Sequence, residues 1–547
     1  MTTWNVPSPT STYARLRVTD PDRWLAAASA WRRWAALAGA LAAEFGPLTT
    51  RLRSSWSGTA VAAASAAFAG FRRRIALFRV LCWRADQALS ELAASLARAR
   101  ELLRRAQGRA TSAGLVIDSS GTVHSPRNNA HATMTEVTAD LSAALEIAAR
   151  ADAQAASRLT AISAATGLGA NEAGRGPGAN EAGRAVQPDC TTGPIQVKSW
   201  WDGLTQAERN WLLATDPAAL ASTRGIPAAD RDVANRLLLD DHRAALDHRL
   251  DRATDAAVRN QLRGLRDGLD ELTARLDDDS GLRAYLMGVD LGGDGRAVVA
   301  LGDPDRASHV LTHVPGMTSD LESLGSELTR AGRVAQRAAE LAPDQATSAV
   351  LWLDYDAPDF LHEANSSRQA REGAAELRRF QEDLRATHDG EPAHQTVLGH
   401  SYGSLVTGLA AAGPLAADDM VLVGSPGTGV DSADRFSVPA DRVWASTSRT
   451  DVIQYASVSP KSLLQDLPVA GVLPGIGPVL AFGVPERDLW FGRNPSDPGF
   501  GAQVFASQED AGHLGYWDPG RPALDALARI TVGQKPVTFG QDPITRP

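Results

Sequence analysis

Between residues 20 and 107, apolar positions recur at alternating spacings of three and four. One stripe runs Trp24, Ala27, Trp31, Trp34, Ala38, Leu41, Phe45, Leu48 and Leu52. A second runs Val61, Ala64, Phe68, Phe71, Ile75, Phe78, Cys82, Ala85, Leu89, Leu92, Leu96 and Leu103. That periodicity predicts two long amphipathic helices. Asp20 caps the first, with Pro21 at its first position, and Ser54-Ser55-Trp56-Ser57-Gly58 is the short turn between them. Two apolar stripes joined by so short a turn are expected to zip as an antiparallel hairpin. A turn-rich segment over 114–123 predicts a small β-hairpin, and a third helix over about 135–165 returns onto the long pair.

The pattern then breaks. Gly-Ala-Asn-Glu-Ala-Gly-Arg occurs at 169–175 and again at 178–184, a low-complexity repeat that reads as an interdomain linker. Residues 200–277 are helical and charged. Beyond them two apolar runs, Ala284 to Val289 and Ala297 to Leu301, flank the turn Gly292-Gly293-Asp294-Gly295, a β-hairpin signal. Strands and helices alternate afterwards. His309 to Val314 leads to a helix near 320–341, and Ala349 to Leu353 to a helix near 367–387. Val397-Leu398 leads into Leu405 to Leu409, followed by the strands Met420–Val423, Val443–Ser446 and Gln503–Ala506. The fold class expected is α/β, a mostly parallel sheet flanked by helices in α/β-hydrolase order, preceded by an all-α hairpin domain. The division is 1–165 (hairpin), 166–192 (linker) and 193–547 (hydrolase domain).

Composition narrows the class. A chain of 547 residues with 44% hydrophobic and 22% charged residues is that of a multidomain globular protein. The net charge of −9 hides an asymmetry: residues 1–110 hold 17 Arg against 6 acids, a net +11, leaving −20 on the remainder. A basic helical arm raises nucleic-acid and membrane binding as readings. The arginines are spread along the helices, so a solvated face is the preferred reading and no nucleic-acid partner is expected. Two cysteines, Cys82 and Cys190, make neither a disulfide framework nor a zinc site, and Cys82 falls on a helix core position. The N-terminus shows no signal-peptide pattern. The longest uncharged apolar stretch is broken by Pro468, Pro474 and Pro478, so no transmembrane segment is expected. No metal cluster, phosphate-cradling loop or dinucleotide fingerprint occurs, so no cofactor is expected.

The chemistry concentrates at Gly399-His400-Ser401-Tyr402-Gly403. Gly-x-Ser-x-Gly is a weak pattern alone. Set between an apolar strand and a helix it becomes a nucleophile elbow, a turn so tight that the serine hydroxyl stands free at the end of a sheet. Such a serine needs an acid and then a histidine downstream. Asp451 follows the strand Val443–Ser446 and is the preferred acid, with Asp431 and Asp434 as runners-up. His513 is the sole histidine in the last 110 residues and follows the last strand. His400 is read as a supporting residue, and His309 and His313 as core or rim residues. In these roles His513 takes the Ser401 proton during attack on an acyl carbon, and Asp451 holds the imidazole tautomer. The oxyanion calls for backbone N–H groups from Tyr402 and from the loop Pro315-Gly316-Met317-Thr318, with Met317 preferred and Gly316 the alternative. The apolar, Pro- and Gly-rich segment 459–485 is read as a lid or acyl-binding wall over the site, with an insertion packed on the sheet edge as the alternative.

Two resemblances accompany this reading. Trp56-Ser57-Gly58 between two long helices resembles the Trp-x-Gly motif of the WXG100 (ESX-type) family, small helical hairpins associated with type VII secretion. The Tyr-x-x-x-Asp/Glu signal of such substrates is matched only at 355–359, inside the hydrolase region. The stretch 199–519 resembles the actinobacterial α/β-hydrolase family known as DUF1023. The carrying residues are Trp200-Trp201-Asp202-Gly203-Leu204, Gly225-Ile226-Pro227-Ala228, Val314-Pro315-Gly316-Met317, Gly399 to Ser404 and Gly512-His513-Leu514-Gly515-Tyr516-Trp517. That resemblance implies the hydrolase fold and the triad Ser401, Asp451 and His513. The expected activity is hydrolysis of a small or lipidic acyl ester through an acyl-enzyme, with an amidase or thioesterase using the same triad. The alternative is a type VII secretion-linked effector or interaction protein whose hairpin docks a helical protein partner. The expected location is cytoplasmic, or outside the cell by a non-classical, type VII-like route.

Overall fold

A computed structural model describes residues 13–126, 131–166, 188, 192–358, 366–451, 488–489, 491–508 and 510–537. The helices before the sheet are α1 (Tyr13–Val18), α2 (Asp22–Ser55), α3 (Thr59–Ser112), α4 (His131–Thr166), α5 (Pro194–Gly203), α6 (Gln206–Thr215), α7 (Pro217–Ser222), α8 (Ala228–Arg252) and α9 (Ala256–Asp277). The expected hairpin near 114–123 is a two-residue ladder of Val116–Ile117 with Val123–His124.

Among the described residues the main sheet has eight strands: β1 (Ala284–Asp290), β2 (Arg296–Leu301), β3 (His309–Val314), β4 (Thr347–Leu353), β5 (His394–His400), β6 (Asp419–Val423), β7 (Val443–Ser446) and β8 (Gln503–Val504). Across the sheet they run β1-β2-β4-β3-β5-β6-β7-β8. β2 is antiparallel to both β1 and β4, and every other neighbouring pair is parallel. An antiparallel hairpin leading into a parallel sheet, with the serine after the third parallel strand, is the α/β-hydrolase fold. The parallel strands need crossovers, and α10 (Leu324–Leu341), α11 (Arg368–Thr387), α12 (Tyr402–Ala411) and α13 (Pro522–Thr531) lie beside them.

Strand alternation divides the core into two layers. Val310, Val397, Met420 and Leu422 face α11 and α12, where Ala374, Leu377 and Leu405 meet them. Their neighbours Leu311, Leu398, Val421 and Val423 face α10 and α13, against Ala331, Val334, Leu527 and Ile530. Such strands are buried on both sides and read as unbroken apolar runs. Each fully buried leucine or valine contributes about 1.5–3 kcal/mol relative to exposure. No helix among the described residues is long and apolar enough to cross a membrane.

The N-terminal helices present two faces. The inner face shares a core with the segment from α5 to α8: Ala35, Val80, Cys82 and Trp83 pack with Trp201, Leu213, Ile226 and Val233. A buried chain of charges reinforces that contact. Arg32 Nη1 lies 3.0 Å from Asp86 Oδ1, and Arg283 Nη2 lies 2.8 Å from both Asp86 Oδ2 and Asp232 Oδ2. Arg236 completes the chain 2.7 Å from Asp232 Oδ1, its guanidinium 4.7 Å above the Trp83 ring.

The stripe expected on α2 is not the face it buries. Of its positions Trp24, Trp34, Leu41 and Leu48 are exposed and Ala38 is buried, whereas Ala28, Arg32, Ala35 and Gly39, off the stripe, are buried. The body comes so close that small side chains fill the contact, and Arg32 enters because Asp86 awaits it. Cys82 is a buried free thiol as expected, its pKa pushed up to about 12 by burial. Cys190 and the segment read as a lid lie outside the described residues.

Candidate active site

Parallel register sets the loops of the site side by side. Val314 of β3 pairs with Gly399 of β5, His400 with Val423 of β6, and Val423 with Ser446 of β7. The chain therefore leaves the carboxyl ends of these strands at one height, the crevice where open α/β sheets hold their ligands. β8 pairs with Trp444 and Ala445 of β7, ending one residue below that edge, and leads into the loop of His513.

Ser401 stands between β5 and α12 with φ 52° and ψ −129°, a conformation in which a non-glycine residue is strained. Its N–H donates to the Val423 carbonyl at 3.1 Å, and Ser404 Oγ donates back to its carbonyl at 2.6 Å. The hydroxyl caps nothing at the start of α12. The glycines of the pentapeptide act by lacking a side chain rather than by turning: neither takes a positive φ. A Cβ on Gly403 would sit 2.3 Å from the Val314 carbonyl, and one on Gly399 would sit 2.6 Å from Ser404 Cα.

Asp451 and His513 are hydrogen-bonded, His513 Nδ1 donating to Asp451 Oδ1 at 2.8 Å. The carboxylate is fully buried. Its other oxygen accepts from Tyr516 O–H at 2.6 Å, and that phenol oxygen accepts from the Ser448 N–H at 2.9 Å. Burial and then the Asp451 charge push the Tyr516 pKa well above its ordinary value, so the phenol stays a donor. The runners-up lie elsewhere: Asp434 accepts from Ser432, and Asp431 sits against Gly492.

His513 and Ser401 are linked through their neighbours. His400 Nε2 donates to the His513 carbonyl at 3.0 Å, and the two rings lie 4.7 Å apart. A Cβ on Gly424, the residue after the carbonyl that holds Ser401, would come 2.8 Å from Asp451 Oδ2 and 3.1 Å from His513 Nδ1. Among the described residues no hydrogen bond joins Ser401 Oγ to His513. In ligand-free hydrolases that contact is often long and tightens around substrate.

His400 is a supporting residue in geometry as well as in sequence. Burial, followed by the nearby His513, His313 and Arg330, lowers its pKa well below the ordinary value, so it is neutral. It packs edge-on against Trp517 at 4.9 Å. His313, also edge-on to Trp517 at 5.5 Å, binds Glu327 at 2.9 Å. Burial alone would raise the Glu327 pKa. The His313 hydrogen bond and Arg330 outweigh it, and the carboxyl sits below its usual range. His309 is bonded to Gln345 at the amino end of β3, away from the site.

The loop after β3 passes directly over the serine. A Cβ on Gly316 would lie 2.6 Å from Ser401 Cβ and 3.2 Å from its Oγ. The Tyr355 phenol donates to the Pro315 carbonyl at 2.6 Å, and its ring stacks at 10° to Tyr402. Thr318, at φ 59°, donates its N–H to the Pro358 carbonyl. These contacts hold the loop on both sides of Gly316 close against Ser401. Sequence reasoning missed Tyr516, Ser448 and Tyr355. Their phenols and amide reach across 39 to 68 residues of chain, and no local motif announces such a bond.

Comparison with known proteins agrees with the fold. Residues 290–460 match the family model described as alpha/beta hydrolase. An uncharacterized protein of Mycobacterium tuberculosis is 31% identical over 380 residues, which is 63% of this chain and 56% of the relative. Uncharacterized proteins of Mycobacterium bovis and Mycobacterium tuberculosis are 39% identical over 149 residues, 26% of this chain and 56% of each relative. The chain thus spans little more than half the length of these relatives. No solved structure matches it. The chain has the α/β-hydrolase fold, and the segment that carries Ser401 matches the alpha/beta hydrolase family.

Proposed function

We propose that the protein is a serine hydrolase that cleaves acyl esters, small or lipidic, through an acyl-enzyme. The observation that carries this reading is the strained Ser401 at the end of β5, its hydroxyl making no cap bond to α12, near a hydrogen-bonded His513–Asp451 pair. In the proposed reaction Ser401 Oγ attacks the acyl carbon while His513 Nε2 takes its proton. Asp451 stabilises the imidazolium through the Nδ1–H bond. The Tyr402 and Met317 N–H groups receive the oxyanion, with Gly316 N–H as the alternative donor. Collapse of the tetrahedral intermediate breaks the acyl–oxygen bond, and His513 returns the proton to the departing alcohol. Water, deprotonated by the same histidine, then releases the acid and restores Ser401.

The test is labelling of the full chain with a fluorophosphonate probe. Wild type is expected to label and Ser401→Ala not to. Hydrolysis of p-nitrophenyl esters should fall by about 10⁶-fold in that variant, as when nucleophiles of this class are removed. Folded wild type that does not label would overturn the reading.

A further inference from the structure

The outer face of the long hairpin turns large apolar side chains to solvent. α2 presents Trp34, Leu37, Leu41 and Leu48 along one line, and α3 presents Phe71 and Phe78, two turns apart on one side. Leu37 is 62% exposed and Trp34 57%, values far from those of a buried seam. Half-buried Phe45, one turn from Leu41 and from Leu48, holds its ring 4.9 Å from Phe71. The two lines therefore merge into one continuous face across the helix pair, broader than the scattered apolar residues of an ordinary surface.

The charges beside this face share one sign. Residues 33 to 78 contain Arg33, Arg51, Arg53, Arg72, Arg73 and Arg74 against the single acid Glu44, a net +5 in a chain of net −9. Arg33 and Arg51 are about five helical turns apart and project along the same edge of the α2 line. A helical protein partner is selected by flanking charges of both signs that fix its register. Flanks of arginine alone suit a surface that is anionic everywhere and imposes no register. Trp56, in the turn at the tip, is 59% exposed, and tryptophan is the side chain favoured where water meets lipid.

We propose that the outer α2–α3 face docks onto an anionic lipid surface. The leucines and aromatics enter the boundary between headgroups and acyl chains, and the arginines hold the anionic headgroups. The inference is independent of the reaction at Ser401 and is tested without it.

The test is co-sedimentation of the full chain with vesicles of equal parts phosphatidylglycerol and phosphatidylcholine, and with vesicles of phosphatidylcholine alone. Wild type is expected to sediment with the first far more than with the second, and less as salt rises. The double variant Leu37→Glu/Leu48→Glu should bind about tenfold more weakly or worse, and Arg33→Glu/Arg51→Glu should lose a similar factor. Both should keep the wild-type melting temperature. Wild type that stays in the supernatant, or that binds both vesicle types alike, overturns the proposal. So does a leucine variant that binds as wild type does. An oligomer dissolved by Leu37→Glu/Leu48→Glu, with no vesicle binding, would assign the face to a second copy or a helical partner. A melting temperature lowered by that variant would assign it to another part of this chain. Either result excludes the lipid.

Discussion

The inner and outer faces of the N-terminal hairpin belong to the same helix pair, yet they meet opposite surroundings. On the inner face Arg32 and Asp86 are buried and joined to Arg283, and the small Ala35 packs in the core shared with the body. On the outer face Trp34, Leu37 and Leu48 are exposed. The difference teaches that burial on a helix depends on what lies opposite, not on the hydrophobicity of the helix alone. A guanidinium is buried where carboxylates wait for it, and a leucine stays in water where nothing is set against it. The serine corner stands at the inner extreme: its elbow, its acid and the loop above it are all held by named backbone or side-chain contacts.

The largest effect that would sharpen this contrast comes from Asp86→Ala. It leaves the Arg32 and Arg283 guanidinium groups buried without the carboxylate both of them bind. Breaking a buried pair on one side typically costs about 3–5 kcal/mol, and denaturant unfolding should show a loss of that size. Vesicle binding by the outer face should not change while the protein is folded. A loss below about 0.5 kcal/mol, the range of ordinary surface substitutions, would mean that the two faces of the hairpin are not distinguished by this network.

Gly316→Ala comes next and acts on the serine corner. The new Cβ would meet Ser401 Cβ at 2.6 Å, so the loop after β3 must lift. Lifting it withdraws the proposed Met317 donor, and loss of one oxyanion donor costs about 10²–10³ in kcat. Melting should move little, because the loop sits at the rim of the sheet. Unchanged kcat on a p-nitrophenyl ester would show that the oxyanion is held elsewhere.

How much of this was legible in the sequence depends on whether a feature is set locally. The elbow was legible because strand, tight turn and helix succeed one another within a few residues around Ser401. His513 was legible because no other histidine comes after β7. The strand order could be read from an apolar hairpin and then β/α alternation. The buried face of α2 was not legible: the spacing of Trp24, Trp34, Leu41 and Leu48 is that of a core stripe, and only the approach of α8 and of Asp86 decides otherwise. Tyr516 lies within a recognisable motif, but nothing in Gly515-Tyr516-Trp517 says that the phenol reaches Asp451 across 65 residues.

That phenol supplies the smallest and most specific prediction. Tyr516→Phe removes one oxygen that donates to Asp451 Oδ2 at 2.6 Å and accepts from the Ser448 N–H at 2.9 Å. The ring still fills its space, so packing is kept. The buried carboxylate loses a donor, and the bond to a charged group is the kind that contributes about 1.5–3 kcal/mol. If Asp451 orients His513 as proposed, kcat should fall about tenfold or somewhat more with KM unchanged, because substrate does not touch the phenol. Wild-type kcat would separate Tyr516 from the reaction and leave it as a packing residue of the α13 side of the sheet.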